Sequence, residues 1–460
     1  MSTVVTALDD LPDELLLHVV QYLRCIHSLE PQSTAFKKKA KEKARQCENR
    51  VRQLALHSVC LANRHLRRIA TPTLYASFVG SATRHGLKPL QLFHRTITRA
   101  PPTANSGTPL AHHLEYVENR LSDYLGNSLY DDTTEHGAVD MVVQYFYLLA
   151  DIVGHASNIQ RLSVVSLETI DVTFWDHILP NGFPSGGPPL VASHGFPKLQ
   201  SLCFQIHTQG HGSSRITNSF GRILSAMTSV PVLGDLRASG VMSRDFAQSL
   251  TGQFKKLTRI EITECVLELD EVISIWAACD ELRHIVCEWA FLNYASNQPS
   301  DLYEGLLRHC KTLEYLHLDM REVRVLVWPG EQPKKLGSLQ PFEVLTSLTI
   351  CERALVGTAH VYFDDQTQFQ DARLSELLPA KLEKFVLLMQ GEVEHEADEI
   401  LLDAEPLLTL SKDCPHLLPD LKVVLVQSRD QLIQPTLTKA FQDRSVQFGF
   451  VKEAQHESHL

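Results

Sequence analysis

A six-residue phrase, L-x-x-L-x-L with apolar substitutes allowed in each slot, recurs down most of this chain and limits its fold more than any other feature. It occurs as IQRLSV from Ile159, LQSLCF from Leu199, LGDLRA from Leu233, LTRIEI from Leu257, LRHIVC from Leu282, LEYLHL from Leu313, LTSLTI from Leu345, LEKFVL from Leu382 and LKVVLV from Leu421. Successive starts lie 24 to 40 residues apart. A repeat of that length is one supersecondary unit that cannot bury its apolar side alone, so neighbouring units must stack.

The spacers say what stacks. DEVISIWAAC, before LRHIVC, puts Val272, Ile275, Trp276 and Cys279 on one helical face. PSDLYEGLLRHC, before LEYLHL, does the same with Leu302, Leu306 and Cys310, with Ser300 or Asp301 as the N-cap. Each unit reads as an amphipathic helix, a turn and a short strand. The closing L-x-L points two side chains inward and leaves the residues between them facing out. The expected class is α/β: a solenoid over residues 158–450 with parallel strands on its concave side and helices on its convex side. Residues 80–157 are expected to form a linker and an atypical first repeat. In it LAHHLEYV (110–117) is a degenerate strand, AVDMVVQYFYLLADIV a helix and RAPPTANSGTP (99–109) a loop.

Nine strands at ~4.8 Å spacing make a ladder on the order of 40 Å long, the size of a protein rather than of a metabolite. The outward positions are Arg161, Asp235, Arg237, Arg259, Glu261, His284, Glu288, Tyr315, His317 and Asp319. Of these, Arg259, Glu261, His284, Glu288, Tyr315, His317 and Asp319 are the candidate substrate-binding residues. Both signs of charge interleave there. Nucleic acid would want one sign, so the pattern fits a protein or peptide partner.

Ahead of the repeats, LDDLPDELLLHVVQYL (8–23) and LALHSVCLANRHLRRIATPTLYASF (54–78) are short helical stretches too small to make a core alone. In the first, Pro12, Asp13 and Glu14 suit a helix start. Leu15, Leu16, Val19, Val20 and Leu23 form one broad apolar stripe. In the second, Leu54, Leu56, Val59, Cys60, Leu61, Leu66 and Ile69 recur at helical spacing, with Pro72 expected to end the helix.

LPDELLLHVVQYL followed in order by LALHSVCLANRHLRRIATPTLY resembles an F-box, the motif that docks on the Skp adaptor of cullin-RING ubiquitin ligases. The resemblance covers residues 8–78. It implies a three-helix domain whose adaptor-binding residues are Leu11, Pro12, Leu15, Leu16, Val19, Leu23, Leu54, Val59, Leu66 and Ile69. An ordinary helical hairpin capping the next domain is the plainer alternative. The repeats behind it resemble the irregular leucine-rich repeats that often follow an F-box, as in fungal-type receptors, although the Asn of well-formed repeats is missing from most units. The implied role is the substrate-recognition subunit of an SCF-type ligase. Its partners would be the Skp adaptor, through it the cullin and RING subunits, and a target protein.

Where the family joins the first two helices by a few residues, residues 24–53 intervene here. Lys37 to Arg52 hold eight basic and two acidic residues. Lys38 with Glu42 and Glu48 with Arg52 make i,i+4 pairs, so the segment is expected to extend the second helix backward with a solvated face. A nuclear-import signal or a basic contact surface is the sharper alternative. An insertion folded across the apolar stripe would block the adaptor.

The formal net charge of −11 disfavours nucleic acid or an anionic membrane as the main partner. No apolar run reaches a membrane span, and the N-terminus lacks a signal-peptide pattern, which implies a cytoplasmic and/or nuclear protein. The ten cysteines have no metal-ligand spacing and read as reduced thiols. No HExxH, GxxxxGK[ST], GxSxG or GxGxxG occurs. GHGSS (210–214) lacks the lysine of a phosphate loop, and GEVEHEADEILLDAE (391–405) lacks the ligand alternation of a calcium loop. His112 and His113 have no third ligand nearby in sequence. No catalytic residue, metal or cofactor is therefore assigned. Two rivals stand beside the ligase subunit: an F-box-like leucine-rich-repeat scaffold without ligase activity, and an enzyme built on the repeats. A pocket of convergent His, Asp or Cys with perturbed pKa would favour the latter.

Overall fold

The computed structural model describes residues 11–28, 39–83, 85–98, 109–120, 136–167, 174–179, 194–207, 219–242, 250, 252–295, 298–325, 334–356, 373–389, 400–401, 405–428, 432–433 and 435–452. Lys37, Lys38, most of the 99–109 loop, GHGSS and most of the 391–405 cluster lie outside them. The chain divides into two compact units, Met1–Ser239 and Gly240–Leu460.

The first unit opens with three helices, α1 (Asp13–Tyr22), α2 (Lys39–Ala62) and α3 (Arg64–Leu74). Pro12 caps α1 without a side-chain bond, and its carbonyl accepts from Leu16 N at 3.0 Å. Asn63 separates α2 from α3, its Oδ1 accepting from Leu66 N at 2.8 Å. Pro72 does not end α3, which runs two residues further to Leu74. So near a helix end a proline forfeits only one backbone bond. Leu16, Val20, Leu56, Cys60, Leu66, Ile69 and Ala70 form the core of these helices.

Five parallel strands follow: β1 (Ser77–Ser81), β2 (Tyr116–Arg120), β3 (Arg161–Leu167), β4 (Ser201–His207) and β5 (Asp235–Ser239), in that spatial order. Between them run α4 (Leu87–Thr98), a 3-10 turn (Leu110–His113), α5 (His136–His155), α6 (Phe174–Ile178) and α7 (Ser219–Met227). The expected strand at 110–117 is thus a turn followed by β2. Side chains stack in register across the ladder, one buried row being Phe78, Val117, Leu162, Leu202 and Leu236. The helices close this side through rings such as Trp175 against Phe204 (5.6 Å) and Phe204 against Phe220 (6.0 Å).

In the second unit β6 (Arg259–Cys265), β7 (His284–Trp289), β9 (Tyr315–Asp319), β11 (Ser347–Cys351), β12 (Lys384–Leu388), β14 (Val423–Ser428) and β16 (Gln447–Lys452) form a parallel ladder in that order. Short pairs, β8 (Leu292–Ala295) with β10 (Val323–Val325) and β13 (Ile400–Leu401) with β15 (Leu432–Ile433), lie outside it. Ile260, Ile285, Leu316, Leu348, Phe385 and Val424 share one buried row.

The helices here are α8 (Leu269–Ala277), α9 (Pro299–Leu307), α10 (Glu352–Val356), α11 (Leu374–Leu377), α12 (Glu405–Leu417) and α13 (Pro435–Gln442). The cap of α9 is Gln298, not Ser300 or Asp301. Asp301 instead reaches back to accept from Gln298 N at 2.8 Å, a capping box that places the acid in the first turn. Every one of the nine phrases begins a strand at its third residue, so the α/β class and the parallel pairing stand. Among the described residues no helix is long and apolar enough to cross a membrane.

Candidate functional site

Two surfaces gather the residues singled out from sequence, and a third set of contacts explains the insertion. On the three helices, ten residues were expected to form one face, and burial divides them. Leu16, Leu66 and Ile69 are interior, because they fill the small core that holds the helices together. Leu11, Leu23 and Val59 are half-buried against that core. Pro12, Leu15, Val19 and Leu54 face outward, Leu15 being 50% and Leu54 61% exposed.

Helical geometry explains the division. At about 100° per residue, Leu16 and Val20 point inward, while Leu15, Val19 and Tyr22 make a second stripe about a third of a turn away. On α2, Leu56 and Cys60 point inward, and Val51, Leu54 and Leu61 make a stripe on the roughly opposite side. Each helix therefore carries two apolar stripes, one used and one left in water. Eight of the thirteen exposed large hydrophobic side chains among the described residues fall between Leu15 and Leu61. That concentration marks the module rather than a random scatter of surface leucines. Tyr22 and Val51 were missed from sequence and Leu61 was named there only for its helical spacing, although all three lie three or seven positions from Leu15, Val19 or Leu54.

The described part of the insertion has a solvated face, with Lys41, Lys43, Cys47 and Arg50 exposed, and a second face that is not solvated. It is one continuous helix with the second stretch, α2, and it turns a buried ion cluster toward the first ladder. Arg45 bridges Glu42 (Nε to Oε2, 2.9 Å) and Glu118 of β2 (Nη1 to Oε2, 3.0 Å; Nη2 to Oε1, 2.5 Å). Arg120 Nε donates to the same Glu118 at 3.1 Å, and the Tyr116 hydroxyl donates to it in a short bond. Glu118 is fully buried, so these donors are what keep its charge tolerable. Burial pushes the Glu42 carboxyl upward, but the Arg45 bonds and charge outweigh it and hold the group below its ordinary range. Of the expected i,i+4 pairs, Glu48 with Arg52 forms at 2.9 Å; the other rests on Lys38, outside the described residues, and its carboxylate partner Glu42 is bonded by Arg45 and Gln46.

Residues 24–28 form a strap held by this helix. Asn49 exchanges two bonds with the Ile26 backbone (2.7 and 3.0 Å), and Arg52 donates to the Arg24 carbonyl at 2.9 Å. Beyond it the Tyr116 hydroxyl joins both Ser28 N (3.0 Å) and Ser28 O (2.9 Å), while His27 stacks on its ring at 4.0 Å. The strap covers the polar face of β2 and β3. Arg161, expected to be outward, is exposed and bonds His27 Nδ1 at 3.1 Å, while Glu118 and Ser163 are buried. Asp235 and Arg237 pair with each other at 3.2 Å.

In the second unit, β6, β7 and β9 bring all seven candidate substrate-binding residues onto one sheet face, each half-buried. Arg259, His284 and Tyr315 lie side by side in one row, Glu261 and His317 in the next, Glu288 and Asp319 in the third. The His284 and Tyr315 rings stack at 4.1 Å with 8° between planes. Arg259 Nε reaches Glu261 at 2.8 Å, and His284 Nε2 lies 3.2 Å from the same carboxylate. His317 Nε2 is 3.6 Å from Glu288. Burial lowers the His317 pKa to about 4, so its imidazole is neutral at pH 7. Asp319 sits below its ordinary range because Arg321, at 2.6 Å, outweighs the effect of burial. Arg321 lies past the strand end, where alternation gave no reason to choose it.

This face is a row of locally paired charges around a flat stacked ring pair. Such a surface supplies specific hydrogen-bonding groups and an aromatic platform to a partner at modest desolvation cost. Among the described residues no three His, Cys, Asp or Glu side chains are grouped to hold a metal ion. No protein-family model matches the chain, and no curated protein is significantly similar to it.

Proposed function

We propose that this chain is the substrate-recognition subunit of an SCF-type ubiquitin ligase, an F-box domain followed by irregular leucine-rich repeats. The observation that carries the reading is the second apolar stripe on α1 and α2, exposed at Leu15, Val19, Leu54 and Leu61 in the stretch that resembles an F-box. A helix that leaves a whole stripe in water loses hydrophobic stabilisation of about 25 cal/mol per Å² until a partner covers it. The described part of the insertion leaves this stripe free, because Arg45 draws α2 to Glu118 instead. The β6–β9 face is then the target-binding surface. The protein performs no covalent chemistry of its own; it raises the effective concentration of target lysines near a charged E2.

The test is co-expression with the Skp adaptor and gel filtration, alongside Leu15→Asp/Val19→Asp and Leu54→Asp/Leu61→Asp chains. Both variants change exposed residues and should retain wild-type melting temperatures. The wild type is expected to co-elute with the adaptor in equal amounts and the variants to elute alone. A well-folded wild type that elutes alone overturns the reading. A stable complex that transfers no ubiquitin to any bound partner in a reconstituted ligase supports the scaffold alternative.

A further inference from the structure

The free edge of the first ladder leaves backbone groups unpaired beside a slot. β1 ends that ladder and is bonded on one side to β2. Ala76 O accepts from Tyr116 N at 3.0 Å, and Ala82 N donates to Arg120 O at 2.6 Å. Backbone groups alternate sides along a strand, so the even-numbered residues of 76–82 turn toward β2 and Ser77, Val79 and Ser81 turn away. Ser81 O accepts from Thr83 N at 2.9 Å. Among the described residues the N–H groups of Ser77, Val79 and Ser81 and the carbonyls of Ser77 and Val79 have no partner.

A cavity of about 330 Å³ runs along this edge, with all five residues of β1 in its lining and α2 as the opposite wall through Gln46 and Gln53. A close-packed helix would shield such an edge. A helix that stands off leaves room for one more strand, the geometry of strand addition. Charge selects the occupant. Lys43, Arg50, His85 and Arg120 line the slot, and among the described residues no carboxylate does. Arg120 is engaged by Glu118, but Lys43 and Arg50 are exposed and have no anionic partner among the described residues.

We propose that the β1 edge captures an extended acidic segment of a partner protein, which adds as a strand along Ser77–Ser81 with its carboxylates toward Lys43 and Arg50. The site shares no residue with the exposed helix stripes or with the β6–β9 face, and it does not rest on the ligase reading.

The test pans a library of random dodecapeptides against the full chain, with the Val79→Pro chain for counter-selection, and measures fluorescein-labelled winners by anisotropy. Val79→Pro deletes an outward N–H while leaving the β2 pairing intact. Enriched peptides are expected to alternate acidic with β-branched residues. Their affinity should fall roughly tenfold on Val79→Pro, from one lost hydrogen bond and ring crowding at the edge. It should fall by a similar factor on Lys43→Glu/Arg50→Glu and in about 0.5 M salt. No enrichment over the proline chain, winners without excess acid, or labelled peptides that bind the charge-reversed chain undiminished would each overturn the proposal. The charge-reversed chain, altered at two exposed positions, decides the matter if proline disturbs folding.

Discussion

Arg45 and His317 show how single residues set this protein's tolerances. Arg45 holds two buried carboxylates through a planar fork, a geometry that lysine cannot reproduce. Arg45→Met leaves Glu118 buried with one fewer cation and should cost about 3–5 kcal/mol, read from the denaturant midpoint. Adding Glu118→Gln to it should recover part of that loss, since an unpaired buried charge is the main penalty. His317 acts through pH. Its folded pKa, about 4, lies below the ordinary histidine value, so between those limits the unfolded state binds more protons. Its contribution is complete above about pH 6.5, falls away as pH drops toward 4, and is opposed in sign to that of a carboxylate-paired, upshifted histidine. His27, lowered to about 4 by burial and then by Arg161 and Arg24, acts in the same window. His317→Gln should flatten the stability profile between pH 4 and 6.5, with the melting temperature as readout. The Arg45–Glu118 pairing was not legible in sequence, because Glu118 is 73 residues from Arg45 and only the fold makes them neighbours.

At the level of elements, local pattern and packing divide the work. The α9 capping box is local: Asp301→Ala should cost about 1 kcal/mol in thermal unfolding, through the lost bond to Gln298 N. The two-stripe helices are not local. Leu15 and Leu16 are adjacent and equally apolar, yet one is half exposed and the other buried. Periodicity said that α1 was a helix with a broad apolar face; it took α3 and the C-terminal half of α2 to decide which half of that face was interior. Leu16→Asp should therefore unfold the helical module by circular dichroism, while Leu15→Asp should leave it folded. The insertion follows the same logic. Its charge pattern fixed a helix with a solvated face, which Lys43, Cys47 and Arg50 supply, but charge alone did not show that Glu42 and Asn49 on the other face would be buried by the β2 cluster and the strap.

Across the whole molecule, stacking turns weak single matches into buried rows. A six-residue phrase is poor information alone, but three in register in the first unit and six in the second place one apolar side chain per strand in each buried row. The same packing determines thiol chemistry. Cys203, Cys265, Cys279, Cys287, Cys351 and Cys414 are buried, and Cys47 is exposed. Burial pushes Cys203 and Cys351 up to about 11, so they are protonated and inert at pH 8. A thiol-reactive dye should label Cys47 first on the native chain and the buried set only after denaturation, as counted by intact mass. By itself the sequence determined the strand phrases, the helical spacers and the stretch resembling an F-box, because each depends on spacing within about a dozen residues. Only the tertiary structure decided which stripe of α1 stays in water, where Arg45 goes, and that β1 ends with a free edge. Those depend on which distant surfaces meet, and adjacent residues of equal hydrophobicity carry no record of it.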